Sequence, residues 1–180
     1  MKALDGVDTG MKRDRETRML RNTEAEHPAF AVVFSGVVKS GKSTVAKVLQ
    51  RRYEMVRVEN DMLRESSIEL EEGEVYDVVA DLVRSWDFDN KRLVLDASID
   101  RSYNKILPAL ESSGFLVFTI KMPVPEDIDK RFDVHYPDSD PERYIEDQEQ
   151  ALEGLEPDFV FGENGGMREL LRKLDRKLLQ

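Results

Sequence analysis

The stretch that decides the fold is "AFAVVFSGVVKSGKSTVAKVLQRRY", residues 29–53. Its first part is a continuous apolar run with β-branched residues, which is typical of a strand buried on both faces. Its last part places Val45, Val48 and Leu49 at helical spacing. Between the two parts, residues 36–43 read G-V-V-K-S-G-K-S and match the pattern G-x-x-x-x-G-K-[ST] at every fixed position. The pattern therefore lies between a strand and a helix, which is the context it requires.

The chemistry of this pattern predicts a phosphate loop. Glycines let the backbone curl so that successive N–H groups converge on phosphate oxygens, and the following helix directs its positive end at the same anion. Lys42 is expected to reach the β- and γ-phosphates of a nucleotide, and the Ser43 hydroxyl to ligate Mg²⁺. The alternative is a plain strand–turn–helix in which the glycines serve only backbone geometry. The predicted nucleotide-binding residues are Gly36, Val37, Val38, Lys39, Ser40, Gly41, Lys42, Ser43 and Thr44.

The rest of the chain alternates apolar strands with helical patterns. Such alternation indicates an α/β protein of three layers, here a five-stranded parallel sheet flanked by helices in a P-loop NTPase fold. Helices are predicted between the strands, and Pro108 is expected to bend or split the one over residues 101–114. The polar stretch over residues 134–144 is predicted to be an exposed loop. The later strands are predicted in "EMVRVEND", "KRLVLDAS", "FLVFTIKM" and "PDFVF".

Length and composition indicate one domain with a charged surface. The chain has 180 residues and a net charge of −10, and 36% of its residues are charged. Residues 1–28 hold equal numbers of acidic and basic side chains and are predicted to be a charged, mobile leader, so that the domain comprises residues 29–180. The acidic domain disfavours long nucleic acids as partners. No apolar run is long enough to span a bilayer, and no secretory signal is evident. The chain also has no cysteines, so we expect a cytoplasmic protein without membrane association.

Other classes of phosphate-loop protein lack their markers in this chain. A GTPase would need the guanine-reading N-K-x-D, and "DNKR" at residues 89–92 lacks the final aspartate. The glycine-rich signature of transporter ATPases is absent from the sequence, and 180 residues leave little room for a further lid domain of the AAA+ type. The small-kinase branch remains.

Over about residues 30–180 the chain resembles small P-loop kinases. These include nucleoside-monophosphate kinases, gluconate-type kinases and, nearest in pattern, the zeta-toxin/polynucleotide-kinase group. That group carries D-x-x-R after its second strand, and Asp61-Met62-Leu63-Arg64 stands there in this chain. "LVLDAS", ending an apolar strand with Asp96, and Arg131 in "DIDKRF" are similar to the strand-end aspartate and the lid arginine of these kinases.

The resemblance implies a small lid over about residues 125–145 and a set of catalytic roles. Lys42 and Arg131 would balance charge on the moving phosphoryl group, and Asp61 would orient or deprotonate the acceptor hydroxyl. Arg64 would hold an anionic group of the acceptor. Asp96 would accept a bond from Ser43 or from a magnesium-bound water. The alternatives are structural: Asp61 and Asp96 as helix caps, and Arg64 paired with a nearby carboxylate.

A further pattern concerns Arg101, which forms an i, i+4 cationic pair with Lys105 after the third strand. The pair is a candidate patch for an anionic substrate, or else a solvated surface. The predicted function is therefore an ATP- and Mg²⁺-dependent kinase that phosphorylates a small-molecule acceptor. Two alternatives stay open: a nucleotide-binding regulatory module or slow ATPase without an acceptor, and a zeta-toxin-like nucleotide-sugar kinase. The sequence leaves the acceptor, the choice between ATP and GTP, and the oligomeric state open.

Overall fold

The computed structural model describes residues 29–59, 81, 92–99, 102–135 and 140–179. The predicted leader over residues 1–28 lies outside the described residues. The predicted helix over residues 74–86 also lies outside them, apart from residue 81. The domain division therefore stays a prediction.

The described strands form one five-stranded sheet in the order β2-β3-β1-β4-β5. Each neighbouring pair is parallel, and β1 is hydrogen-bonded to β3 on one side and to β4 on the other. This arrangement confirms the predicted α/β fold. The strands are β1 (Phe30–Ser35), β2 (Val56–Glu59), β3 (Arg92–Ser98), β4 (Leu116–Lys121) and β5 (Phe159–Val160).

The described helices connect these strands and cover the sheet. The first begins at Lys42, three residues before the predicted apolar stripe, and ends at Tyr53, after which Glu54 adopts the left-handed conformation. The helices are α1 (Lys42–Tyr53), α2 (Tyr103–Ser112), α3 (Ile128–His135), α4 (Pro141–Ala151) and α5 (Met167–Leu178). Within the part of the chain that the structure describes, none of the helices is long and apolar enough to span a bilayer.

The central strand carries apolar side chains on both faces, as its continuous apolar run predicts. Alternate residues of β1 enter two different core clusters. One face packs against α1 and α5, through Phe30, Val32, Phe34, Val45, Leu49, Leu170 and Leu174 among others. The opposite face packs against α2, through Ala31, Val33, Leu93, Leu95, Ile106 and Leu110 among others. The turn that follows β1 is therefore fixed by a strand with packing on both sides.

Two local predictions differ from the structure. Helix α2 continues through Pro108 without a break, so the predicted split does not occur. Proline costs a helix one N–H donor and crowds the preceding turn, and here the apolar face of the helix, with Ile106 and Leu110 buried, holds it together. The stretch over residues 134–144 is not one loop, because α3 extends to its second residue and α4 begins at Pro141.

The start of α4 has a clear physical cause. Asp140 caps the helix, because its side chain accepts hydrogen bonds from the backbone N–H groups of Glu142 (3.0 Å) and Arg143 (3.3 Å). Pro141 follows at the first helical position, where its missing N–H costs nothing. These two signals identify a helix start that the polar composition of the stretch conceals.

A half-buried carboxylate, that of Asp158, links the edge of the sheet to α5. Asp158 accepts hydrogen bonds from the backbone N–H (2.8 Å) and the hydroxyl (3.0 Å) of Thr119 in β4, and from Lys177 in α5 (2.7 Å). Burial alone would raise the pKa of Asp158, but the bonds from Lys177 and Thr119 outweigh it and the pKa is lowered. The short strand β5 is thus fixed by side-chain bonds as well as by its ladder.

Candidate functional site

The predicted phosphate loop connects the carboxyl end of β1 to the amino end of α1. Gly36 has a φ of +124° and Gly41 a φ of +97°, and both lie in the region that favours glycine. A Cβ added at Gly36 would lie 2.9 Å from the carbonyl oxygen of Met122, which follows β4. The loop therefore passes so close to the neighbouring strand that only glycine fits at its first position.

The helix after the loop leaves its amino end available to an anion. Among the described residues, no side chain caps α1 at Gly41, and its first turn contains no acidic residue. The carbonyl of Gly41 accepts bonds from the N–H groups of Thr44 (3.0 Å) and Val45 (3.2 Å). Ser43 and Thr44 are exposed at this end. The first N–H groups of a helix are unsatisfied by the helix itself, and a phosphate is a suitable partner for them.

The ammonium group of Lys42 folds back across the loop. It donates to the carbonyl oxygens of Gly36 (2.7 Å) and Val37 (2.6 Å), and contacts the hydroxyl of Ser40 at 3.4 Å. These contacts hold a positive charge over the curled backbone. The side chain is half-buried, so the charge is placed and partly shielded from solvent before any phosphate arrives.

The lid helices rest directly on the loop. Val37 is buried to 2% exposure and packs with Ile128 of α3, while Val38 of the loop and Tyr144 and Ile145 of α4 complete the cluster. The two bulky residues at variable positions of the phosphate pattern therefore form an apolar contact between loop and lid. This small cluster is separate from the two clusters of the main core.

Arg131 of α3 reaches the same loop. Its guanidinium donates to the carbonyl oxygen of Lys39 (2.5 Å) and forms an ion pair with Asp127 (2.7 Å). The hydrogen bond from Arg131 holds the pKa of Asp127 below its ordinary value. Lys39 has a φ of 61°, so its carbonyl belongs to the tightest part of the curl. The structure therefore brings Arg131, Lys42 and the loop together, while the catalytic roles of the two cations stay predictions.

Asp96 lies at the carboxyl end of β3 and is engaged by an arginine. Arg57 of β2 donates through Nε (2.8 Å) and also through Nη2 to Oδ2 of Asp96, and through Nη1 it forms an ion pair with Glu59 (2.7 Å). The side chains of Arg57 and Asp96 are 10% and 2% exposed. Both of the bonds from Arg57 meet the same oxygen, and within the described part of the chain no hydrogen bond to Oδ1 of Asp96 is found.

The residues present fit a magnesium ion bound together with a nucleotide. Mg²⁺ usually takes only one or two protein groups and completes its shell with water and phosphate oxygens. The exposed hydroxyl of Ser43, in the first turn of α1, and the carboxylate of Asp96, near the carboxyl end of β3, are groups of the right chemistry. The role of Asp96 at a metal stays a prediction.

Three predicted site residues lie outside the described residues: Asp61, Arg64 and Arg101. Their roles toward an acceptor therefore stay predictions. The assignment of the remaining site residues to nucleotide or metal likewise stays a prediction.

Sequence reasoning missed Arg57 and the use made of Val37. Arg57 alternates with Val56 and Val58 in a predicted strand, and an inward-facing arginine in such a strand requires an anionic partner. The strand-end Asp96 is the partner available one strand away. The size of Val37 could have predicted its contact with α3, since a bulky apolar residue in a turn needs another surface to bury it.

Several solved structures with the same fold are small-molecule kinases by name. No protein-family model and no curated protein sequence matches the chain. The APS kinase of Mycobacterium tuberculosis, solved with AMPPNP and APS, is 16% identical with a TM-score of 0.57, over 86% of this chain and 99% of that one. A gluconokinase from Sinorhizobium meliloti is 16% identical with a TM-score of 0.54, over 83% and 94%.

A shikimate kinase from Acinetobacter baumannii, solved with shikimate, is 15% identical with a TM-score of 0.59, over 88% of this chain and 96% of that one. At such low identity the similarity is one of fold. The chain therefore has the fold of P-loop kinases over most of its length, while the predicted likeness to the zeta-toxin branch stays a prediction.

Proposed function

We propose that this protein is a kinase that transfers the γ-phosphoryl group of ATP to a small-molecule acceptor. One observation carries the proposal: two cations, Lys42 from the loop and Arg131 from the lid, both rest on the curled backbone of residues 36–41 at an uncapped helix end. Phosphoryl transfer depends chiefly on positioning and on neutralising the charge of the moving group, and this arrangement supplies both.

The proposed reaction forms a bond between the acceptor oxygen and the γ-phosphorus and breaks the bond from that phosphorus to the β,γ-bridging oxygen. The acceptor hydroxyl loses its proton to the carboxylate of Asp61, and ADP leaves. Lys42 binds the β- and γ-phosphates, and Arg131 moves from the carbonyl of Lys39 to the transferred group. Bound Mg²⁺, held by Ser43 and through water by Asp96, would withdraw charge from the phosphates.

The acceptor is proposed to be small and anionic. Arg64 and Arg101 are the cations assigned to it, and the named substrates of the kinases with the same fold are small molecules. The net charge of −10 disfavours a polynucleotide.

A regulatory module that binds or slowly hydrolyses ATP is the second candidate. It is favoured by the acidity of the lid helix α4, in which Glu142, Glu146, Asp147 and Glu149 accompany only one cation, Arg143. Negative charge beside a phosphate site opposes closure over a triphosphate.

The first experiment measures ATP binding by calorimetry, with and without Mg²⁺. We expect Lys42→Met to weaken binding by about tenfold or more, because the ammonium forms charge-assisted bonds with phosphate oxygens. Lys47→Met is the matched control, since Lys47 is exposed on the same helix. Equal affinity in the wild type and Lys42→Met would contradict a phosphate role for the loop.

The second experiment separates a kinase from a binding module. A panel of gluconate, shikimate, APS, nucleoside monophosphates and nucleotide sugars is incubated with ATP and Mg²⁺, and the products are identified by mass spectrometry. A kinase yields a product whose mass is raised by one phosphoryl group, and Asp61→Asn abolishes it while ATP affinity is kept. Tight ATP binding with no phosphorylated product favours the module.

A further inference from the structure

The outer face of α1 and α5 is basic in a protein that is acidic as a whole. The two helices carry nine basic and two acidic side chains, whereas the chain holds 27 basic and 37 acidic residues. They lie side by side, because Tyr53 at the end of α1 donates to Asp175 of α5 (2.7 Å) and Arg52 forms an ion pair with the same carboxylate (2.9 Å). Their exposed cations form one surface, the basic face, which consists of Lys47, Arg51, Arg52, Arg168, Arg172 and Arg176.

Three arginines of α5 form a row on this basic face. Arg168, Arg172 and Arg176 follow one another at a spacing of four residues, so the row is about 12 Å long. Arg172 has an ion pair with Glu169 of the same helix (2.5 Å), yet its side chain is still 58% exposed. Within the described ranges no ion pair involves Arg168 or Arg176. The row therefore offers planar cations to another surface, and a carboxylate matches the fork of such a group.

Helix α4 carries a complementary row of carboxylates. Glu142, Glu146 and Glu149 are exposed and lie at spacings of four and three residues, which places them on one side of the helix over about 10 Å. No ion pair involves any of the three in the part of the chain that the structure describes. Among the same residues, no ion pair joins α4 to α1 or α5. The acidic row and the basic face therefore do not satisfy each other within one chain.

We propose that the basic face binds the acidic row of α4 in a second copy of this chain. The arginine row and the glutamate row have similar lengths and spacings, so the cations of one copy can meet the carboxylates of the other in succession. Arginine is also the charged side chain that protein interfaces favour, and five of the six cations of the basic face are arginines. The contact is head-to-tail, because the two surfaces lie on different helices. It does not depend on the proposed kinase function.

The net charge of the chain weakens this contact without preventing it. Two copies that each carry a charge of −10 repel each other at long range. At physiological ionic strength the Debye length is about 8 Å, so the charges close to the contact act most strongly. Exposed ion pairs contribute only about 0.2–1 kcal/mol each. We therefore expect an association that requires a high protein concentration and is lost in high salt.

Sedimentation equilibrium of the full chain measures this association. At about 0.1 M salt the weight-average mass should rise above that of a single chain as the protein concentration increases, and at about 1 M salt it should fall back. Arg172→Glu and Glu146→Arg reverse the central charge of each row, and each should lower the association constant by about tenfold or more. Lys130→Glu on α3 and Glu111→Arg on α2 are the matched controls, because they make the same charge changes at exposed positions elsewhere.

Mixing the two row variants gives a second, independent measurement. Arg172→Glu retains an intact acidic row, and Glu146→Arg retains an intact basic face. An equimolar mixture should therefore associate, although neither variant does so alone. Because the mixture recovers the association, a loss in the separate variants cannot be attributed to misfolding.

The proposal is overturned if the wild type remains a single chain at concentrations up to about 1 mM. It is also overturned if both row variants associate like their controls, or if the mixture associates no more than its components. A wild type that remains a single chain but sediments with phosphatidylserine vesicles would overturn it as well, since the basic face would then bind a membrane surface. No nucleotide is added, so a failure of the proposed kinase activity leaves these outcomes unaffected.

Discussion

Gly36→Ala tests whether the close approach of the phosphate loop to β4 shapes the site. The new Cβ would lie 2.9 Å from the carbonyl oxygen and 3.1 Å from the Cβ of Met122, and the backbone at this position has a φ of +124°. A side chain in such a conformation costs about 1–3 kcal/mol. Overpacking against a backbone atom adds about 1–3 kcal/mol, because the chain has to shift to relieve it.

Gly41→Ala is the matched control. Gly41 also has a positive φ, of +97°, but its added Cβ meets only the flexible end of Met122, at 3.7 Å. The control therefore carries the conformational cost without the contact. The two costs sum to about 2–6 kcal/mol for Gly36→Ala, against about 1–3 kcal/mol for Gly41→Ala. At about 2–4 °C for each kcal/mol in a chain of this size, the mid-range costs of about 4 and about 2 kcal/mol lower the melting temperature by about 8–16 °C and about 4–8 °C.

Thermal unfolding followed by circular dichroism measures both changes. The double variant Gly36→Ala/Met122→Ala provides a further check, because the obstructing atoms are the backbone oxygen and Cβ of Met122, which alanine retains. We expect no rescue. The reasoning would be refuted if Gly36→Ala unfolded at the wild-type temperature. It would also be refuted if Gly41→Ala lowered the melting temperature more than Gly36→Ala does.

Three further predictions concern charged groups. Arg57→Met leaves the carboxylate of Asp96 buried without its partner and should lower the free energy of unfolding by about 3–5 kcal/mol. The double variant Arg57→Met/Asp96→Asn should recover part of this loss. Urea unfolding that shows no recovery contradicts the pairing. Burial and the hydrogen bond to Asp175 raise the pKa of Tyr53 to about 12. The contribution of the protonated Tyr53 to the free energy of unfolding is therefore complete below pH 10 and is lost toward pH 12, and Tyr53→Phe should abolish this loss of stability at alkaline pH. The pKa of Asp158 is lowered, so its contribution is present above about pH 4 and is lost at more acid pH; the stability gap between wild type and Asp158→Asn should close there, and a gap independent of pH would contradict it.

The fold was predictable because its signals are local and repeated. The apolar run of β1 has to be buried on both faces, and its side chains do alternate between two clusters. The phosphate pattern fixes where β1 ends and α1 begins, since Gly36 and Gly41 occupy the positions of positive φ. Each of these features depends on neighbours in the sequence, so one chain suffices to recognise them.

The contacts across the sheet were not predictable in the same way. The pairing of Arg57 with Asp96 joins residues 39 positions apart, and it depends on the register of β2 with β3. The packing of Val37 on Ile128 depends on where the lid helix comes to rest. Neither the register nor the position of the lid follows from periodicity, because both are set by packing of the whole domain.

The contacts of the loop indicate how it would exchange partners when a triphosphate binds. Lys42 and Arg131 both donate to backbone carbonyl oxygens of the loop, which carry no net charge. A phosphate oxygen offers the cation a full opposite charge, which a carbonyl oxygen lacks, so phosphate oxygens compete well for both side chains. The apolar contact of Val37 with Ile128 does not depend on charge and can persist during the exchange. Helix α3 can therefore stay docked on the loop through the contact of Ile128 with Val37 while Arg131 turns from protein to phosphate.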